Sequence, residues 1–170
     1  MDKLQWNSFE KKIYIHSTID KLYHLWATEE GITSWFLREA VFKTHDGERR
    51  KGSEFIANDD TYTWKWHNWD GEAKGKITQA NGKDNIEFSF DESMVSVHLE
   101  DMNGVVIVTL KQFEIPEDDA SKLKIHLGCS NGWTFWLTNL KAYLEHGILL
   151  NETEINLQEQ DLAGWIFVNM

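Results

Sequence analysis

The sequence is short of staples and breaks. It has one cysteine, Cys129, so no disulfide can close within the chain. It has one proline, Pro116, and no Gly/Ser-rich linker, so nothing marks a boundary between two folding units in its 170 residues. No run approaches the roughly 20 apolar residues that span a bilayer. The opening "MDKLQWNSFEKK" lacks the apolar core of a secretory signal. These gaps predict a cytoplasmic protein with no membrane insertion, built as one domain over residues 1–150 with a tail at 151–170.

Positive charge is also scarce. Lys and Arg number 17 against 28 Asp and Glu, a net charge of −11. Such a balance repels phosphate backbones, and the one basic cluster, "ERRK" at Glu48–Lys51, reads as a solvated turn. A nucleic-acid partner is therefore not expected. The seven histidines are scattered and form neither H-E-x-x-H nor a paired Cys/His spacing, so no metal site is expected. With no P-loop, dinucleotide fingerprint or G-x-S-x-G, the sequence predicts no cofactor. The acidic runs "EIPEDD" and "NETE" read as solvated faces.

Tryptophan is plentiful: there are nine. Their placement follows the predicted elements. "FEKKIYIH" alternates and reads as a first strand. In "STIDKLYHLWATEEGITSWF", Ser17 can cap a helix with Ile19, Leu22, Tyr23 and Trp26 on its apolar side, and Thr28 can cap a second short helix, Glu29 to Trp35. Alternating segments follow, separated by "HDGE", "NDD", "DGE", "NGKD", "DES" and "DMNG", and "GSEFIA" is counted among them. The turn chemistry predicts an antiparallel meander of about six or seven strands.

Period two puts Tyr62, Trp64 and Trp66 on one face, with Ile86, Phe88 and Phe90 and then Val95, Val97 and Leu99 alike on theirs. His67 and His98 fall on the polar faces. The aromatic face needs a cover, and "GCSNGWTFWLTNLKAYLEHG" supplies it. There Trp133, Leu137, Leu140 and Leu144 form a helical stripe, with Cys129 and Trp136 beside them. Asn131 or Ser130 can cap the start, Gly147 can stop the helix, and Gly128 and Gly132 predict a bend or break. Cys129 reads as a small buried hydrophobe.

The order strand, two short helices, meander, long helix, with "GW" followed by "LTNLKAYLEHG", resembles the activator-of-Hsp90-ATPase-like family of the START-like superfamily. The residues that carry the resemblance are Gly132, Trp133, Leu137, Asn139, Leu140, Lys141, Leu144, Glu145 and Gly147, together with the early segment ending at Trp35. It covers roughly residues 9–147. The resemblance implies an α+β helix-grip fold, in which a curved antiparallel sheet wraps a long C-terminal helix. It also implies a hydrophobic space between sheet and helix, since relatives bind lipids, sterols or polyketides and some are cyclases.

Three functions follow as expectations. The first is a carrier or sensor of an apolar small molecule. Trp133, Trp136, Leu137 and Leu140 would face Tyr62, Trp64, Trp66, Phe88 and Phe90, and Trp35 and Phe36 would flank the mouth. The second is a protein-interaction module with a chaperone contact. The third is a cyclase- or hydrolase-like enzyme, which would need a polar residue with a shifted pKa inside the cavity; no catalytic residue is assigned. The tail carries Leu162, Trp165, Ile166, Phe167 and Val168. Such apolar density predicts that it folds back, on the outer helix face near Phe135 and Ala142 or over the mouth near Trp35.

Overall fold

The computed structural model describes residues 5–159, 161, 165 and 167–169. It is a helix-grip fold. A first strand, β1 (Ser8–Ile15), leads into α1 (Ile19–Ala27) and α2 (Glu29–Thr33). Six further strands follow: β2 (Glu39–Lys43), β3 (Thr61–Lys65), β4 (Ala73–Ala80), β5 (Asn85–Phe90), β6 (Ser93–Asp101) and β7 (Val106–Phe113). The sheet order is β1-β7-β6-β5-β4-β3-β2, with every described pairing antiparallel.

Alternation fixes the inner face. Phe88 pairs with Val95, Ile86 with Val97 and Val97 in turn with Leu110, and all are buried. Burying such branched and aromatic side chains contributes about 1.5–3 kcal/mol each. A register shift between Ile77 and Gln79 interrupts β4 against β5, where the sheet bends.

Local chemistry sets the ends. The N-cap of α1 is Thr18 rather than Ser17: its side chain accepts from the Lys21 amide, whereas the buried Ser17 hydroxyl finds no partner among the described residues. Thr28 caps α2 as expected by accepting from Gly31, but α2 stops at Thr33, short of Trp35. The strand expected over "TYTWKWHNW", Thr61 through Trp69, ends at Lys65, because the chain turns at Asn68 with a φ of 57°. β7 closes just before Glu114, at a φ of 58°.

The segment "GSEFIA" is irregular rather than a strand. The Ile56 amide donates to the Ala27 carbonyl at 2.9 Å. Nearby, the buried Asp60 carboxylate takes both the Arg50 guanidinium and the Ala57 amide. These bonds occupy the Ile56 and Ala57 amides that a ladder would need.

The C-terminal helix begins earlier than its apolar stripe. Asp118 caps a short turn, α3 (Asp119–Ser121), which runs on as a π-helix over Lys122–Cys129 and then as α4 (Ser130–His146). Ser130 and Asn131 therefore lie inside a continuous helix and cap nothing. Of the bend or break expected at Gly128 and Gly132, the helix shows no break: it runs on through both, and its winding changes from π to α after Cys129. Gly147 ends α4 in the left-handed region, at a φ of 67°.

Candidate functional site

The site grows from the face of α4 turned to the sheet. Trp133, Trp136, Leu137 and Leu140 are buried there. Opposite them, Phe36 follows α2 and sits at the centre of the aromatic packing. Its ring lies 5.2 Å from Trp35, 5.8 Å from Trp64, 5.6 Å from Trp66, 5.5 Å from Trp133 and 5.0 Å from Trp136. Most of these pairs are edge-on or tilted, the arrangement that ring quadrupoles favour. The interior is apolar enough that the buried indole N–H groups of Trp26 and Trp64 have no hydrogen-bond partner among the described residues.

Packing is not complete. A cleft of about 230 Å³ opens between sheet and helix, walled by the rings of Phe36, Trp66, Phe90, Trp133 and Trp136. The helix supplies its other wall through Lys124, Gly128, Cys129 and Gly132. A Cβ placed on Gly132 would meet nothing within 4 Å, so the glycine leaves helix backbone bare to the cleft.

A short polar chain lies beneath it. The Trp133 indole donates to Gln112 Oε1 at 2.9 Å, Gln112 Nε2 donates to the Ser93 hydroxyl at 2.8 Å, and that hydroxyl donates to the Phe90 carbonyl at 2.7 Å. Gln112 is fully buried, with both its amide oxygen and its amide nitrogen bonded. Burial pushes the Cys129 thiol up, against a smaller opposing effect from Gln112, so the thiol stays protonated. The cleft thus offers apolar surface, bare backbone, a protonated thiol and the Lys124 side chain.

Of the eleven ligand-site residues expected from sequence, Phe36, Trp66, Phe90, Trp133 and Trp136 line this cleft. Trp35, Tyr62, Trp64, Phe88, Leu137 and Leu140 pack in the core around it. Tyr62 also sends its hydroxyl to the Ser89 carbonyl at 2.7 Å, and burial and the nearby Asp91 raise its pKa beyond the usual phenol range. Lys124, Gly128, Cys129 and Gly132 were not expected as walls. Two glycines four apart on a predicted helix were the available signal, since that spacing puts both on one face.

Both histidines of the polar faces stay outside the cleft; His98 is exposed. His67 lines a separate polar hollow of about 220 Å³ with Arg38, Asn68 and residues of the tail. Burial and then Arg38 lower its pKa, against an opposite pull from Glu152. Asn68 ties the tail here: its side chain accepts from the Leu157 amide at 2.8 Å and donates to the Glu152 carbonyl at 3.4 Å. Leu157 is buried, whereas Trp165 is 67% exposed and Phe167 partly buried. Leu162 and Ile166 fall outside the described residues. Among the described residues, no three His, Cys, Asp or Glu side chains gather as a metal set, and no helix is long and apolar enough to cross a membrane.

Comparison with known proteins bears on this geometry. Among solved structures, protein SSP2350 from Staphylococcus saprophyticus is 20% identical with a TM-score of 0.67, over 86% of this chain and 97% of its own. The Aha1 dimer from Colwellia psychrerythraea is 17% identical with a TM-score of 0.63, over 82% and 97%. CalU16 from Micromonospora echinospora is 14% identical with a TM-score of 0.62, over 82% and 77%. At these identities the likeness is one of fold. No curated protein matches. The family model described as "Activator of Hsp90 ATPase homolog 1-like protein" matches residues 16–145, from the end of β1 to the last turn of α4, and the chain belongs to that family.

Proposed function

We propose that the protein is a carrier or sensor for a small apolar ligand held in the cleft between sheet and C-terminal helix. The observation that supports this reading is a cleft left open in an otherwise close-packed aromatic interior, with a bare helix backbone as one wall. Burial of apolar ligand surface, at roughly 25 cal/mol per Å², would supply the affinity. At about 230 Å³ the space is below the range of roughly 300–1,000 Å³ usual for drug-sized ligands, so the ligand is small or partly exposed. The test is titration with the neutral probe N-phenylnaphthylamine. Saturable binding that is lost in Gly132→Leu, whose side chain would fill the cleft, supports the reading. No saturable binding, with no small molecule retained in native mass spectrometry, rejects it.

A second reading is an interaction module of the kind the family name denotes. Its support is the consecutive run Ile148, Leu149 and Leu150, each more than a third exposed just after α4. Stimulation of purified Hsp90 ATPase, lost on changing all three residues to serine, would favour this reading over the first.

A further inference from the structure

We infer that the ligand of this cleft carries an anionic group, which Lys124 receives at the rim; the inference rests on the ligand-binding reading above. Lys124 is the one charged side chain among the described residues that line the cleft. It stands on the π-helix, four residues before Gly128 and eight before Gly132, and all three wall the cleft. An eight-residue π-helix is uncommon, and such winding often marks functional sites.

The ammonium is open to exchange. Its ion-pair partner is Asp91, at 3.7 Å, with the two side chains 78% and 40% exposed. A pair that long and that wet holds its partner weakly. Asp91 does not line the cleft, although its charge reaches the Cys129 thiol, and the protonated thiol adds none, so Lys124 is the charged group that an entering ligand would touch. A cationic ligand would find ring faces but also this ammonium, which would repel it. The apolar part is bounded by the volume: about 230 Å³ is the space of roughly eight waters, at about 30 Å³ each. One or two fused rings fit that space, with a carboxylate projecting to Lys124.

The experiment compares naphthoate with naphthamide, which keeps the rings and loses the charge, by calorimetric titration at low salt. Naphthoate should bind more tightly by about two- to fivefold, the range of an exposed ion pair. The advantage should shrink as salt is added. Lys124→Met should abolish the difference between the two compounds, and Asp91→Asn should widen it. Equal affinity for the two compounds, or a Lys124→Met loss shared by both, overturns the inference and leaves the ligand reading standing. Absence of binding by either compound overturns both.

Discussion

The two ends of the long helix are built differently. Toward its C-terminus three polar side chains reach across to other segments. Asn139, fully buried, donates to the Trp35 carbonyl at 2.6 Å and to Asn151 Oδ1 at 3.0 Å, and accepts from the Leu150 amide at 2.6 Å. Lys141 donates to the Tyr14 carbonyl at 2.9 Å, and Glu145 accepts from the His16 amide at 2.8 Å. Toward the N-terminus the helix has two glycines, π winding and a long exposed ion pair. One end fastens the helix to β1 and to the segment after α2, and the other borders open space. The cleft end is itself tied on its far side, where Ile125 is buried and His126 Nδ1 lies 2.8 Å from the Trp6 carbonyl, so what distinguishes it is the open space along its inner face.

Breaking the anchored end should have the largest effect. Asn139→Leu strands the Trp35 carbonyl, the Leu150 amide and the Asn151 side chain. At about 1–3 kcal/mol per stranded group, the expected destabilisation is on the order of 4 kcal/mol in urea unfolding. Trp133→Ala, at the boundary between the two ends, should cost about 3 kcal/mol. It removes a large ring and orphans Gln112, but one side of the ring already faces the cleft. A loss as large as that at Asn139 would mean that the cleft closes around Trp133 in solution.

At the open end the sign should reverse. Gly132→Ala relieves a helix glycine and meets no atom, so it should stabilise the fold by up to about 1 kcal/mol while weakening probe binding. Stabilisation with unchanged binding would place the ligand elsewhere.

The smallest effect is one of pH. The Lys141 ammonium and the His16 amide hold the Glu145 carboxyl below its ordinary value of 4.5. Its contribution is therefore present above pH 4.5 and is lost as the pH falls through the lower folded value. Glu145→Gln should flatten this acid limb of a thermal-melting profile, and an identical limb in the variant would remove Glu145 from the anchor.

The same contrast explains what the sequence could reveal. The strip Trp133, Leu137, Leu140 and the alternation of β3 to β7 are set by burial, and burial leaves a period in the residue order. The helix-grip arrangement was legible for that reason. The π winding was not, since nothing in "KLKIHLGC" separates it from an α-turn; glycines suggested only weakness. Trp64 and Trp66 show the limit at the site. They share a face of the same chain segment, yet Trp64 is sealed in the core and Trp66 walls the cleft. Period two assigns a face but not a depth along the strand. "GSEFIA" misled because alternation also occurs where a single residue, Ile56, anchors an irregular loop.

The crowding of indoles has an optical consequence. Trp26 lies 4.9 Å from Trp35 and 6.2 Å from Trp133, Trp64 lies 6.3 Å from Trp66, and Trp66 lies 5.5 Å from Trp69. Phe36 sits within 6 Å of five of the tryptophan rings. Chromophores this close share their excited states, and energy absorbed by one migrates to its neighbours before emission. The near-ultraviolet circular dichroism and the fluorescence then belong to the assembly rather than to any one residue. A molecule that touches Trp66 or Trp133 would change the light from the whole set, so the protein carries its own reporter for occupancy of the cleft.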